Sequence, residues 1–172
     1  MNTANFLSIP SMMFPEQEII VFEGTRLTYG EELERVRRLA SSLRDLGIKP
    51  GDRVAALQTN CNQFIETYYA TATLGGTFVP LNYRAKLPEL EYMVTAADVK
   101  ALFVGDRYID SVNQLQSKFT SVQHYVAMEG DRPGMIAHED LIAKGSSDLE
   151  DAEVDESDVS ILMYTSGTTS LP

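Results

Sequence analysis

The amino-acid sequence predicts an α/β fold, a parallel-rich sheet flanked by helices, and three observations predict it. Segments with apolar residues at helical spacing alternate with short strand-like runs along most of the 172 residues, which is the pattern of βαβ units. The runs at 53–58, 77–81, 101–104 and 159–164 are almost continuously apolar, as strands covered on both faces must be. A stretch rich in hydroxyls and glycine follows the last of them directly, at the strand end where an open parallel sheet receives ligands.

Taken in order, residues 1–17 carry Pro10 and Pro15 and read as an extended lead-in. Residues 18–23 and 25–29 flank Gly24 as a short hairpin. Thr28 and Glu31 have the spacing of a capping box, and Leu33, Val36, Leu39, Ala40, Leu43 and Leu46 then share one helical face, with Gly47 as the stop. Pro50-Gly51 fits the centre of a type II turn before the strand at 53–58. Asn60 or Asn62 caps a second helix that runs to Leu74 and ends at Gly75-Gly76. The strand at 77–81 closes at Pro80 or lies near an edge. Helices are expected at 87–97, 107–118 and 139–143, strands at 101–104, 121–128 and 159–164, and a turn at 131–134. The organisation expected is a lead-in at 1–17, an α/β subdomain at 18–144, an acidic connector at 145–158, and a strand plus phosphate-binding loop at 159–172.

Charge narrows the partners. Asp and Glu number 25 against 14 Lys and Arg, which does not suit a nucleic-acid binder or a strongly anionic membrane surface. Seven of the acidic residues fall within 145–158 with no basic residue among them, a solvated connector rather than a docking tail. No apolar run approaches the roughly 20 residues that span a bilayer. The expected compartment is the cytoplasm, with a location peripheral to a membrane left open. Cys61 is the single cysteine, and no metal-ligand spacing is present. Near a helix start its thiol is either lowered in pKa or a small structural group. His124 and His138 sit in strand and loop contexts and carry no catalytic expectation; Tyr68 and Tyr69 read as packing residues. Arg84 reads as a salt-bridge partner or an anion contact.

Thr165 to Ser170 offer five hydroxyls and one glycine in six residues. Hydroxyl and backbone N–H donors can converge on phosphate oxygens, and Gly167 removes the Cβ that would hold an anion off. The common P-loop pattern is absent, and a polar surface turn is the other reading of composition alone. The string Tyr164-Thr165-Ser166-Gly167-Thr168-Thr169, with Pro172 beyond it, resembles the signature loop of the adenylate-forming superfamily, and specifically of AMP-forming acyl-CoA synthetases akin to medium- and long-chain fatty-acid–CoA ligases. Leu27-Thr28-Tyr29, the stretch 47–54, the stretch 60–82 and the stretch 87–104 are similar to the same family. Ser170 departs from it, standing where glycine is usual.

The resemblance implies an incomplete part of the large N-terminal domain of the adenylate-forming fold, ending inside the loop and inactive by itself. It implies ATP, Mg²⁺ and coenzyme A as cofactors, and a carboxylic acid, fatty or aryl, as substrate. Thr165, Ser166, Gly167, Thr168 and Thr169 are the implied ATP-phosphate-binding residues, with no catalytic acid, base or nucleophile and no metal ligand in the chain. Other adenylate-forming enzymes (peptide-synthetase adenylation domains, luciferases) share the loop. A non-catalytic binding or dimerisation module is the alternative of a different kind, and a homodimer stays open.

Overall fold

The computed structural model describes residues 3–165. Five parallel strands form one sheet in the order β4-β3-β5-β6-β7: β3 (Arg53–Leu57), β4 (Thr77–Pro80), β5 (Val99–Val104), β6 (His124–Ala127) and β7 (Ile136–Ala137). A separate antiparallel hairpin pairs β1 (Glu18–Phe22) with β2 (Thr25–Thr28). Six helices are described: α1 (Asn5–Met13), α2 (Tyr29–Asp45), α3 (Asn62–Thr73), α4 (Leu87–Ala96), α5 (Ile109–Leu115) and α6 (His138–Lys144). The α/β class and the parallel sheet are therefore as the alternation of elements predicts.

The sheet is buried on both faces because each central strand sends alternate residues to opposite cores. Val54 and Ala56 of β3, with Ala101 and Phe103 of β5, pack under Val36, Leu39 and Leu43 of α2, Ala70 of α3 and Leu141 of α6. Ala55 and Leu57, with Leu102 and Val104, pack under Leu90, Met93 and Val94 of α4 and Val112 and Leu115 of α5. Helix α2 starts as its sequence requires: the Glu31 N–H donates to Thr28 Oγ1 at 3.3 Å, and the Thr28 N–H donates to Glu31 Oε2 at 2.8 Å. Gly47 and Gly51 have φ of 94° and 80°, the left-handed backbone that a helix stop and a type II turn demand.

Four expectations are corrected. Residues 1–17 are not an extended lead-in, for α1 forms despite Pro10. Leu7, Ser8 and Ser11 bury one of its faces, and Ser11 Oγ lies 2.7 Å from Leu7 O and 3.0 Å from Tyr29 O, its one proton shared between the two carbonyls; this packing outweighs the proline. Neither Asn60 nor Asn62 caps α3; Cys61 holds that position without a side-chain cap bond, and Asn62 turns inward to donate to Glu66 Oε1 at 3.1 Å. The helix expected at 107–118 is divided: a 3₁₀ turn at Asp106–Tyr108, then α5, then a second 3₁₀ turn at Gln116–Lys118. The stretch at 159–164 makes one parallel bridge, Ile161 with Phe78 of β4, rather than a full strand.

The acidic stretch is laced to the body. The Ala152 N–H donates to Thr73 O at 2.8 Å, and Arg38 Nη1 donates to Gly145 O at 3.1 Å. A Cβ on Gly145 would stand 1.9 Å from the Arg38 carbonyl oxygen, so only glycine lets the chain cross there.

Candidate functional site at the carboxyl edge of the sheet

The segment that precedes the hydroxyl-rich stretch in the sequence runs along the outer side of β4. Thr77 Oγ1 donates to Val159 O (2.8 Å), the Phe78 N–H to Ser160 O (3.0 Å), and the Leu162 N–H to Phe78 O (2.9 Å). These bonds run the segment parallel to β4, so Thr165 emerges at the carboxyl edge of the sheet. Among the expected phosphate-binding residues, Thr165 is described and exposed; Ser166, Gly167, Thr168 and Thr169 lie outside the described residues. Tyr164 fixes the root of the loop. Its hydroxyl donates to Met93 O at 3.2 Å, and its ring meets Tyr92 edge-on at 6.1 Å.

The same edge carries a crevice of about 440 Å³ between the hairpin tip and the ends of β3, β5 and β6, lined in part by Gln58, Thr59, Gln63, Arg107 and Glu129. Counted from β3, the strands lie in the order second, first, third, fourth, fifth, so the sheet reverses direction between β3 and β5. Open α/β sheets hold ligands at that reversal. Gln58 Nε2 donates to Glu129 Oε1 at 2.7 Å and the Asp106 N–H to Glu129 Oε2 at 2.6 Å, leaving neither carboxylate oxygen unengaged.

Other sequence candidates take structural places. His124 Nε2 lies 3.0 Å from Leu46 O. Tyr68 packs on Phe78 and Tyr69 with ring centroids 5.3 and 5.2 Å apart. Arg84 lies over the Tyr83 ring at 5.2 Å, with no carboxylate partner among the described residues. Burial pushes the Cys61 thiol pKa up, against the lowered value open to a cysteine at a helix start.

Sequence reasoning missed a partly buried ionic cluster that joins three helices on one face of the sheet. Arg35 of α2 reaches Glu66 of α3 (3.0 and 3.2 Å) and Glu139 of α6 (2.5 and 3.1 Å). His138 lies 3.4 Å from Glu66 Oε2, with neither ring nitrogen in a hydrogen bond. His138, 3.7 Å from Oε1, and the Arg35 guanidinium hold the Glu139 carboxyl down to about 2; at that length the guanidinium is the firmer hold. Glu66, His138 and Glu139 have ligand atoms within 4.8 Å of one another, but the guanidinium already bridges both carboxylates and would repel a metal ion. Glu32 of α2 is fully buried with both oxygens unbonded; burial and the Glu66 charge raise its pKa to about 8, Arg35 opposing. A signal was present, since Glu32 precedes Val36 by four residues and so extends the apolar stripe.

Fold and edge define an open parallel α/β domain with the segment 159–165 lying along its outer strand, the N-terminal part of the adenylate-forming fold. The profile described as AMP-binding enzyme matches residues 11–172, and the chain belongs to that family. A medium-chain-fatty-acid–CoA ligase of Ectopseudomonas oleovorans is 32% identical over 157 residues, covering 87% of this chain and 29% of the relative. A long-chain-fatty-acid–CoA ligase of Thermus thermophilus is 31% identical over 177 residues, covering 100% and 32%. The crystal structure of an anthranilate CoA ligase with anthranoyl-AMP superposes with a TM-score of 0.95 at 22% identity, covering 99% of this chain and 33% of that one. The chain thus spans about a third of the length of the curated relatives it matches. Among the described residues, no helix is long and apolar enough to cross a membrane.

Proposed function

We infer that this chain supplies the opening part, and the start of the phosphate-gripping loop, of an ATP-dependent, AMP-forming carboxylic acid–CoA ligase. In that reaction the carboxylate attacks the α-phosphorus of ATP, pyrophosphate leaves, and an acyl-adenylate forms. The CoA thiol then attacks the acyl carbon and AMP departs. Anions meet in the first step, so donors aimed at the departing phosphates lower its barrier. Thr168 and Thr169 offer hydroxyls and Gly167 an unshielded backbone N–H for the β- and γ-phosphates, with Thr165 and Ser166 beside them. Mg²⁺ enters with ATP, and no residue of this chain is assigned to it. The acid is of the fatty or aryl class, in keeping with the fatty-acid and feruloyl ligases among the relatives. The chain alone is expected not to turn over.

The observation that carries the reading is the Thr165–Thr169 run, rooted by a segment docked parallel on β4 at the edge where such sheets hold ligands. Its test is pyrophosphate release by the full protein on addition of carboxylate and MgATP. Thr168→Ala should slow it by about tenfold or more, as loss of one transition-state donor does. An unchanged rate would overturn the reading.

A further inference from the structure

Helix α1 reverses the usual arrangement of a surface helix, which turns an apolar stripe inward and polar residues to water. Its buried side is Ala4, Leu7, Ser8 and Ser11, mostly small and half of it polar. Ser8 Oγ lies 3.4 Å from Asp151 Oδ2, the Ser11 hydroxyl faces the Leu7 and Tyr29 carbonyls, and Leu7 enters the core beside Val36 and Leu39 of α2. The outer side carries the bulk: Phe6, Ile9, Met12 and Met13, with Phe14 just past the helix end, are between 45% and 75% exposed. Spacings of three, four and seven put Phe6, Ile9 and Met13 in one stripe, with Met12 beside it. Residues 3–15 hold no charged side chain to hydrate it.

The size of this face points to what covers it. At these exposures the five side chains offer roughly 500–600 Å² of apolar surface, the upper end of the largest patch a monomer carries. A stable interface buries about 800 Å² per partner, about two-thirds of it apolar in homodimers, so the face is the right size for the apolar part of one. We propose that it is the contact between two copies of this chain, related by a twofold axis crossing α1 near Ile9. Antiparallel pairing then sets Phe6 of one copy beside Met13 of the other, a thioether–aromatic contact that methionine's flexible chain can fit. A charge-free face does not repel its own copy, and a twofold buries the same residues twice. A lipid surface fits less well. Interfacial helices are flanked by Lys and Arg, whereas here the first basic residue is Arg26, Glu16 and Glu18 border the face, and the net charge is −11. The contact is independent of the phosphate-loop reading.

The test is sedimentation velocity on the full protein, which should be a dimer at about 10 µM. Met13→Glu places two unpaired carboxylates in the contact and should raise the dimer Kd about 100-fold or more. Met13→Leu should leave the dimer intact, and both variants should melt within about 2 °C of the parent. Should Met13→Glu unfold the helix instead, Ile9→Cys reads the same contact: Cys61 is buried, so oxidised glutathione should join two copies through the new thiols. A parent that stays monomeric up to about 100 µM, whether because its own polypeptide covers α1 or because α1 takes up neutral phosphatidylcholine vesicles, would overturn the proposal. So would a dimer indifferent to Met13→Glu, or an Ile9→Cys protein that does not cross-link.

Discussion

Glu32 is the group through which pH acts most directly on this fold. It lies fully buried on the α2 stripe, with neither oxygen hydrogen-bonded and with Glu66 repelling its charge. Its pKa of about 8, against 4.5 for an ordinary glutamate, means that the folded chain keeps a proton that the unfolded chain gives up. Between those values unfolding releases that proton, so stability falls as pH rises and levels off once the folded form ionises as well. At roughly 1.4 kcal/mol per pH unit the ceiling is about 5 kcal/mol, and water entry on ionisation brings the expected loss to about 2–4 kcal/mol. Glu32→Gln imitates the neutral form and cannot titrate. Urea unfolding followed by circular dichroism, on both proteins from about pH 5 to 9, isolates the effect, because Glu139, held down to about 2, is ionised throughout. The glutamine variant should gain on the parent steadily with pH. Parallel curves for the two proteins would refute the reasoning.

Other perturbations follow from the same contacts. Arg35→Leu strands buried Glu66 beside His138 and should cost about 3–5 kcal/mol in urea unfolding, most of it recovered when Glu66→Leu is added. Thr28→Ala removes the α2 cap and should cost about 1 kcal/mol, measured the same way. Gly145→Ala drives a Cβ into the Arg38 carbonyl and should lower stability by about 1–3 kcal/mol, with faster amide exchange at the end of α6 as its local sign.

What could be read from residues alone was what short-range chemistry decides. The capping box at Thr28 and Glu31, the positive-φ glycines, and the alternation of β3 and β5 between two cores each depend on neighbours close in sequence, and each appears where expected. Pro10 reads as a breaker because its cost is local, whereas the burial of Leu7 and Ser11 that sustains α1 is tertiary. β7, two residues long, carries no period at all. The cluster of Arg35, Glu66 and Glu139 joins positions 31 and 104 residues apart, and no spacing rule reaches that far. At the candidate site, the apolar run that leads to the loop was legible, while the Tyr164 tie to Met93 was not: it joins residues 71 apart.

The outer edge of β4 has a further consequence. Val159, Ile161 and Met163 stand 60%, 37% and 66% exposed along a segment that makes a single bridge inward. Such a row, bare of charge or proline, is a template on which any extended chain can lay down its amides. Where neighbouring polypeptide covers it, it is an ordinary seam; where none does, it is the place from which fibrous growth would start.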